Sequence, residues 1–310
     1  MGFLQSSLEH DPTWQYAYML VRQELPVPSH VYRLFRAGWI GESSSNDYMK
    51  VMSFSKLQPN CLLQASEVDM SNVSSGRGAI EHAISYLGAR LSCVVLAVNF
   101  STRLVLTKKP PIGWKSALGD MMRDLEIGYR FGAKAPDIGV EGGALAGFGR
   151  HIGLLLLMAA QPASFKKYQA ILREKRKPTR EEERAFFQCE VYQVAAFVIQ
   201  QLGFGTEEAL GIALSYSGLK TTSMDLDERV MRWKAASDWI GCLSDGRNYP
   251  ADKQAKDFFP QLTPPKSGER NVSLEVLYTE IAKIRSHGSE WLWHLPKGSY
   301  DETREHYKLQ

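Results

Sequence analysis

The sequence lacks a clear excess of charge of either sign. Lysine and arginine number 37 and aspartate and glutamate 34, so the net charge is only +3 over 310 residues. Such a balance creates no whole-molecule field that would attract nucleic acid or an anionic membrane surface. The strongest local patch, KKYQAILREKRK at 166–177, is followed by three glutamates at 181–183. We expect a solvated, internally balanced surface there, and nucleic-acid binding through this run is the weaker hypothesis.

Cysteine is scarce, and long apolar runs are missing. The four cysteines form no CxxC pair and no framework spacing, which argues against a zinc site or a disulfide scaffold. They are Cys61, Cys93, Cys189 and Cys242. The longest apolar run, IGLLLLMAA at 152–160, is too short to span a bilayer, and the first residues show no secretory signal pattern. We therefore expect a cytoplasmic protein with reduced thiols and without a membrane-spanning segment.

Strand patterns are also rare, and motifs of common catalytic sites are missing. No GxSxG sequence is present. The glycines of GVEGGALAGFG at 139–149 follow no strand pattern, so they do not indicate a phosphate-binding loop. They are more typical of helices that approach each other closely. Because apolar residues recur at i, i+3, i+4 and i+7 in many windows, the sequence predicts a mostly helical protein.

Local signals mark several helix boundaries. In EVYQVAAFVIQQLGFG at 190–205 the apolar residues share one helix face, and Gly203 supplies a C-terminal stop. Thr179 and Glu182 have the spacing of a capping box, which predicts a helix start. Proline pairs predict connectors at 107–114 and 259–271. The other predicted helices span 13–24, 28–39, 46–56, 59–70, 77–87, 89–103, 114–132, 139–158, 163–175, 206–217, 224–243 and 272–286.

The order of these segments resembles the HDOD domain, the HD-related output domain of bacterial signalling proteins. In the first half, Gln58–Ser71 is similar to the family's first helical segment and Ile80–Leu96 to its AI..LG helix pair. In the second half, GALAGFGRHIGLLLLMAAQP at 143–162 is similar to the family's AGLLHDIG segment. The segments EVYQVAAFVIQQLGFG and TEEALGIALSYSG then follow in the family's order. The resemblance lies in the order and spacing of these segments.

The resemblance implies an all-α fold, an HD-like multi-helix bundle with a C-terminal helical extension. It covers residues 25–220, and we take these as the HDOD domain. Residues 1–24 then form an N-terminal helical segment, and residues 221–310 form a C-terminal extension that packs on the core. In this extension DERVMRWKAASDWIGCL predicts a helix with a buried face. Trp291, Trp293 and His294 predict an aromatic packing cluster, with an exposed interaction patch as the alternative.

The resemblance also implies where a metal centre would lie and that this chain has lost it. In HD-type phosphohydrolases an adjacent His and Asp, with further histidines and a distant Asp, hold metal ions that activate water against a phosphoester. Here Arg150 stands at the His position and His151 at the Asp position. A guanidinium stays protonated, so Arg150 cannot bind a metal and would repel one. Val191 replaces the downstream His, and Ser215 and Tyr216 replace the His-His pair.

The family's upstream His is replaced by Ser116 or by Asp124, depending on where gaps are placed. Since no alignment restores a metal cage, we expect no metal, no cofactor and no catalytic residue. His151 is the only histidine between residues 83 and 286. We expect it to be a hydrogen-bonded helical residue in or near a pocket, and an anion contact shared with Arg150 is the alternative.

These losses predict a non-catalytic signal-transduction protein, a pseudoenzyme of the HD superfamily that acts by binding. Its partner would be a protein met in trans, or a small anionic or nucleotide ligand. The alternative is a divergent HD metal-dependent phosphohydrolase that acts on a nucleotide or a cyclic dinucleotide and holds its metal with displaced ligands.

Overall fold

A computed structural model shows an all-helical architecture. It describes residues 7, 9–66, 76–108, 113–174, 176–219, 226–247, 249–263 and 271–289. Fourteen α-helices have both ends in this part of the chain, and none of its residues forms a β-strand, which confirms the predicted all-α class. The helices are Pro12–Glu24 (α1), Ser29–Trp39 (α2), Ser45–Phe54 (α3), Asn60–Ala65 (α4), Arg77–Thr107 (α5), Trp114–Gly132 (α6), Gly139–Ala160 (α7), Pro162–Arg173 (α8), Arg180–Phe187 (α9), Val191–Gln201 (α10), Thr206–Leu214 (α11), Glu228–Ser244 (α12), Lys253–Phe258 (α13) and Val272–His287 (α14).

Most helix ends lie where the local signals place them. Thr179 caps α9, and its side chain and that of Glu182 exchange hydrogen bonds with each other's backbone amides. Gly203, after α10, has a φ of 92°, a conformation that glycine adopts without strain. Gly88 has a φ of 75° and interrupts α5 at the point that separates the two predicted helices 77–87 and 89–103.

Several boundaries differ from the prediction. Helix α5 continues to Thr107 rather than ending at 103, and α12 begins at Glu228 rather than at 224. The helix expected at 59–70 ends at Ala65, and residues 67–75 lie outside the described part of the chain. The helix expected at 206–217 ends at Leu214, because the Ser217 hydroxyl donates to the Leu214 carbonyl and Gly218 turns the chain with a φ of 73°. The short helix α13 was not predicted, since its six residues are too few to show a period.

Helices α6 and α7 form the centre of the bundle and make its most extensive helix–helix contact. Glycines permit this approach, as the sequence predicted. A Cβ atom on Gly143 would collide with the carbonyl oxygen of Gly128, and a Cβ on Gly132 with that of Gly139. One further turn along α7, a Cβ on Gly147 would collide with the carbonyl oxygen of Asp124. The two backbones are therefore nearly in contact where the candidate site begins.

The C-terminal helices pack on this centre. Helix α12 lies against α11, α6 and α7, and α14 lies against α6. Trp239 of α12 is fully buried, and its indole donates a hydrogen bond to the Ala255 carbonyl at 2.9 Å. The buried apolar cluster extends from Trp14 to Ile284. The segment boundaries at residues 24 and 220 stay predictions, and Trp291, Trp293 and His294 lie outside the described residues.

Two helices, α5 and α7, are long and apolar enough to cross a membrane by composition. In each helix we consider the most apolar stretch of 18 residues. Of this stretch, 67% is buried inside the bundle in α5 and 78% in α7. Core helices of soluble proteins have this composition and this burial, so the packing favours a soluble protein. The four cysteines are all buried and unpaired.

Candidate functional site

The candidate site is centred on Asp124, a carboxylate in the middle of α6. Its side chain is only 4% exposed. One of its oxygens, Oδ2, lies 2.8 Å from Nε2 of His151 and 3.5 Å from Nε of Arg150, both on α7. Since the glycine contacts bring α6 and α7 together at this level, the two successive α7 residues reach the same oxygen.

The other oxygen of Asp124 is engaged as well. Oδ1 accepts a hydrogen bond from the Ser244 hydroxyl on α12, and Nε of Arg123 lies 3.6 Å away. Burial alone would raise the pKa of Asp124, but the charge and hydrogen bond of His151 and the charge of Arg150 hold it well below its usual range. The carboxylate is therefore ionised. An ionised carboxylate can only accept hydrogen bonds, so Nε2 of His151 is the donor in its hydrogen bond with Asp124.

Arg150 is held by α12 and by Tyr216, two residues after the end of α11, as well as by Asp124. Its Nη1 donates to the Ser237 carbonyl at 3.0 Å, and its guanidinium lies 5.9 Å from the ring centre of Tyr216. The hydroxyls of Ser237 and Ser215 are 2.7 Å apart. A Cβ on Gly241 would collide with the guanidinium, so the absence of a side chain there makes room for Arg150.

The structure brings together four of the five predicted site positions. Arg150, His151, Ser215 and Tyr216 belong to one contact network, in which the Tyr216 hydroxyl donates to the Gly149 carbonyl at 3.1 Å. Burial raises the pKa of the Tyr216 phenol, so it stays protonated. The fifth position, Val191, is buried at the start of α10. Its carbonyl packs against Gly153, and its amide donates to Glu183 at 2.9 Å.

The structure separates the two candidates for the upstream position. Asp124 touches both His151 and Arg150, whereas Ser116 is exposed in the first turn of α6. Arg123, Ser237 and Ser244 also belong to the site, although the sequence did not predict them. The two serines are seven residues apart, which places polar side chains on one helix face, and this spacing was the available signal.

A second group of carboxylates, one of them fully buried, lies beside Val191. Glu190 is fully buried and accepts hydrogen bonds from Arg180 at 2.6 and 3.0 Å and from Arg184 at 2.7 Å. Burial raises the pKa of the neighbouring Glu183 to about 7, and the charge of Glu190 adds to this shift. This group stabilises the α9–α10 turn and holds a carboxyl that titrates near neutral pH.

The residues around Asp124 do not fit a metal centre. A catalytic metal needs several convergent ligands and an open coordination position. Within the described residues no three His, Cys, Asp or Glu side chains are grouped so that they could hold a metal ion. At the site itself a single carboxylate and a single imidazole bind each other, and two guanidiniums occupy the space that a cation would need.

These features define an all-helical protein in which a histidine and an arginine surround a central, buried aspartate. The fold is HDOD-like, and two solved structures share it. An HDOD domain protein of unknown function from Geobacter sulfurreducens matches with a TM-score of 0.56 and 12% identity, over 94% of this chain and 97% of its own. A candidate phosphohydrolase from Shewanella amazonensis matches with a TM-score of 0.56 and 15% identity, over 86% of this chain and 94% of its own. No protein-family model and no curated protein matches the sequence.

Proposed function

We propose that this protein is a non-catalytic regulator that uses an HDOD-like scaffold to bind a protein partner or a small ligand. The main observation in support of this proposal is that both carboxylate oxygens of Asp124 already have protein partners. Its two oxygens contact His151, Arg150, Arg123 and Ser244. A divalent cation that approached this carboxylate would have to displace guanidiniums already paired with it, at a high electrostatic cost.

The surroundings of the site support a structural role for these side chains. Arg150 is held on three sides, by Asp124, the Ser237 carbonyl and the Tyr216 ring. A side chain held in this way is preorganised to connect α7 with α12 and with the segment that follows α11, and it is poorly placed to activate water. The resemblance to bacterial output domains supports signalling in the cytoplasm, and burial of all four thiols agrees with that compartment.

The test is metal content together with phosphodiester hydrolysis. Purified full-length protein would be loaded with Mn²⁺, Fe²⁺ or Zn²⁺, freed of unbound metal and analysed for its elements. Hydrolysis of bis(p-nitrophenyl) phosphate would then be followed with Mn²⁺ present. We expect far less than one metal ion per chain and no turnover above the background rate. Stoichiometric metal with chelator-sensitive turnover would refute the proposal.

A matched pair of variants distinguishes turnover at this site from turnover by a contaminating enzyme. Asp120 lies one turn before Asp124 on α6 but its side chain is 40% exposed. Turnover that belongs to the site must disappear in Asp124→Asn and persist in Asp120→Asn. Turnover that is equal in both variants comes from another protein and leaves the proposal standing.

The second candidate function is a divergent phosphohydrolase. Two observations favour it, the Asp124–His151 contact of 2.8 Å and the fold shared with a candidate phosphohydrolase. An identity of 15% establishes only the fold, so the activity of that neighbour does not transfer by itself. The same measurements decide between the two functions.

A further inference from the structure

A cavity of about 570 Å³ opens between α1, α2, α10 and the start of α11. It shares no residue with the Asp124 network, so it is a separate feature of the surface. Its volume lies within the range of about 300–1,000 Å³ that small-molecule sites occupy. The walls are mainly aromatic rings, guanidiniums and carboxamides, which together recognise flat anionic molecules.

Two tyrosine–arginine pairs line this cavity. Tyr18 and Arg22 lie one turn apart on α1, and Tyr32 and Arg36 lie one turn apart on α2. Residues spaced by four share a helix face, so each helix presents a ring and a guanidinium side by side. In the first pair, Arg22 donates to the Tyr18 hydroxyl at 2.9 Å, and its guanidinium lies 5.5 Å from the ring centre.

The charges of the two arginines are not balanced within the cavity. Neither Arg22 nor Arg36 makes an ion pair with any residue that the structure describes. Among the described residues that line the cavity, Glu207 is the only acidic one. Two guanidiniums that face one carboxylate leave a net positive charge. Arginine binds phosphate through paired, charge-assisted hydrogen bonds, which makes a phosphate group the best match for this charge.

The aromatic part of the lining is both rigid and accessible. Phe197 and Phe204 are buried, and Trp14 and Trp39 hold them edge-on with ring centres 5.6 and 5.2 Å apart, respectively. Tyr32, by contrast, is 43% exposed. An exposed ring beside a guanidinium offers a surface on which a flat heteroaromatic ring can stack.

We propose that this cavity binds a nucleoside phosphate, with the phosphate between Arg22 and Arg36 and the base stacked on Tyr32. The carboxamides of Gln200 and Gln201, which also line the cavity, can donate to and accept from the polar edge of a base. This site goes beyond the function proposed above, because it lies apart from the Asp124 network and requires no chemistry. It assigns the regulator a class of ligand and a place to bind it.

The test is isothermal titration calorimetry of the full-length protein with adenosine and guanosine 5′-monophosphates. We expect binding of at least one of them, weakened about 10-fold or more in Arg22→Ala and in Arg36→Ala because each loses a charge-assisted contact. The control is Arg33→Ala, since Arg33 is also exposed on α2 but does not line the cavity. Its affinity should stay within about twofold of the wild type, because only a screened surface charge is lost.

A second pair of variants tests the stacked ring. Tyr32→Ala should weaken nucleotide binding about 5-fold or more, and Tyr32→Phe should retain it, because stacking needs the ring and not the hydroxyl. Ribose 5-phosphate and adenosine should each bind more weakly than the whole nucleotide. Circular dichroism of every variant checks that the exposed substitutions leave the fold unchanged.

Three results would overturn the site. They are the absence of binding of either nucleotide at millimolar concentration, an equal affinity of the Arg36→Ala and Arg33→Ala variants, and displacement of the nucleotide by an equal concentration of inorganic phosphate. The last result would show an anion site without preference for a base. Hydrolysis of the bound nucleotide would instead contradict the non-catalytic function and leave this site in place.

Discussion

At the scale of single residues, Asp124 decides the chemistry of the site. A buried carboxylate is costly unless opposite charges and hydrogen bonds compensate for its lost hydration. Here the compensation comes from residues of α6, α7 and α12. Ionisation of Asp124 therefore depends on the packed bundle, and the bundle in turn depends on this carboxylate to neutralise Arg150.

Replacement of Asp124 by asparagine should be strongly destabilising. The variant leaves the partly buried guanidinium of Arg150 without the buried carboxylate that pairs with it. Removing one partner of a buried pair costs about 3–5 kcal/mol in the free energy of unfolding. Asp120→Asn on the same helix should cost only about 0–1 kcal/mol, because its pair with Arg123 is exposed. Urea denaturation followed by circular dichroism measures both. Equal losses in the two variants would contradict the central role of Asp124.

Glu183 should make stability depend on pH near neutrality. Its pKa is about 7 in the folded protein and about 4.3 in the unfolded chain. Between these values the folded state holds more protons, so this residue lowers the free energy of unfolding as the pH rises from about 5 to above 7. Below about pH 4 the carboxyl is protonated in both states and has no such effect.

Glu183→Gln removes this titration. Relative to the wild type, the variant should gain about 1–3 kcal/mol in the free energy of unfolding between pH 5 and pH 8. The exposed Glu181→Gln serves as the control and should show a constant difference from the wild type. Urea denaturation at each pH supplies the measurement. A Glu183→Gln difference that does not change with pH would show that Glu183 titrates normally.

At the scale of helices, close backbone contact between α6 and α7 determines where the site residues meet. Gly128 and Gly143 lie opposite each other, and Gly147 lies opposite Asp124. Glycine spacing in the sequence indicated this approach, and capping signals at Thr179 predicted a helix start correctly. The sequence did not predict which turn of α6 faces Arg150. The apolar period of a helix repeats along its whole length, so it does not show how far one helix is shifted along its neighbour.

Gly143→Ala should destabilise the protein although alanine favours helices. The added methyl group collides with backbone, which cannot rotate away, so the two helices must separate. We expect a loss of about 1–3 kcal/mol in the free energy of unfolding after the gain in helix propensity of about 1 kcal/mol. Gly78→Ala, exposed in the first turn of α5, should be neutral or slightly stabilising. Thermal unfolding of both variants gives the comparison, and similar melting temperatures would refute the packing argument.

At the scale of the whole molecule, the C-terminal helices complete both the core and the site. Ser237 and Ser244 of α12 contact Arg150 and Asp124, and Trp239 of the same helix is fully buried. These partners are 87 and 120 residues apart in the chain. Contacts over such separations leave no periodic pattern in a sequence.

A chain that ends at Leu219 should therefore lack a fixed tertiary structure. Removal of α12 exposes apolar surface of α6, α7 and α11 and leaves Arg150 without its carbonyl partner. We expect retained helical circular dichroism, a lost near-ultraviolet signal and binding of a hydrophobic dye, compared with the full-length chain. A sharp, cooperative thermal transition of the shortened chain would show instead that residues before 220 fold independently.

The sequence by itself determined the helical class and most helix ends. It also predicted that Arg150, His151, Val191, Ser215 and Tyr216 stand where metal ligands would be, and this assignment stays a prediction. These properties depend on residue type and on neighbours within a few positions, which a sequence records directly. Only the tertiary structure decided that Asp124 rather than Ser116 lies beside His151, and that serines of α12 complete the network. One apolar periodicity is compatible with several relative positions of two helices, and tertiary packing determines which of them is adopted. Charged and polar partners on different helices can therefore be identified only from the assembled bundle.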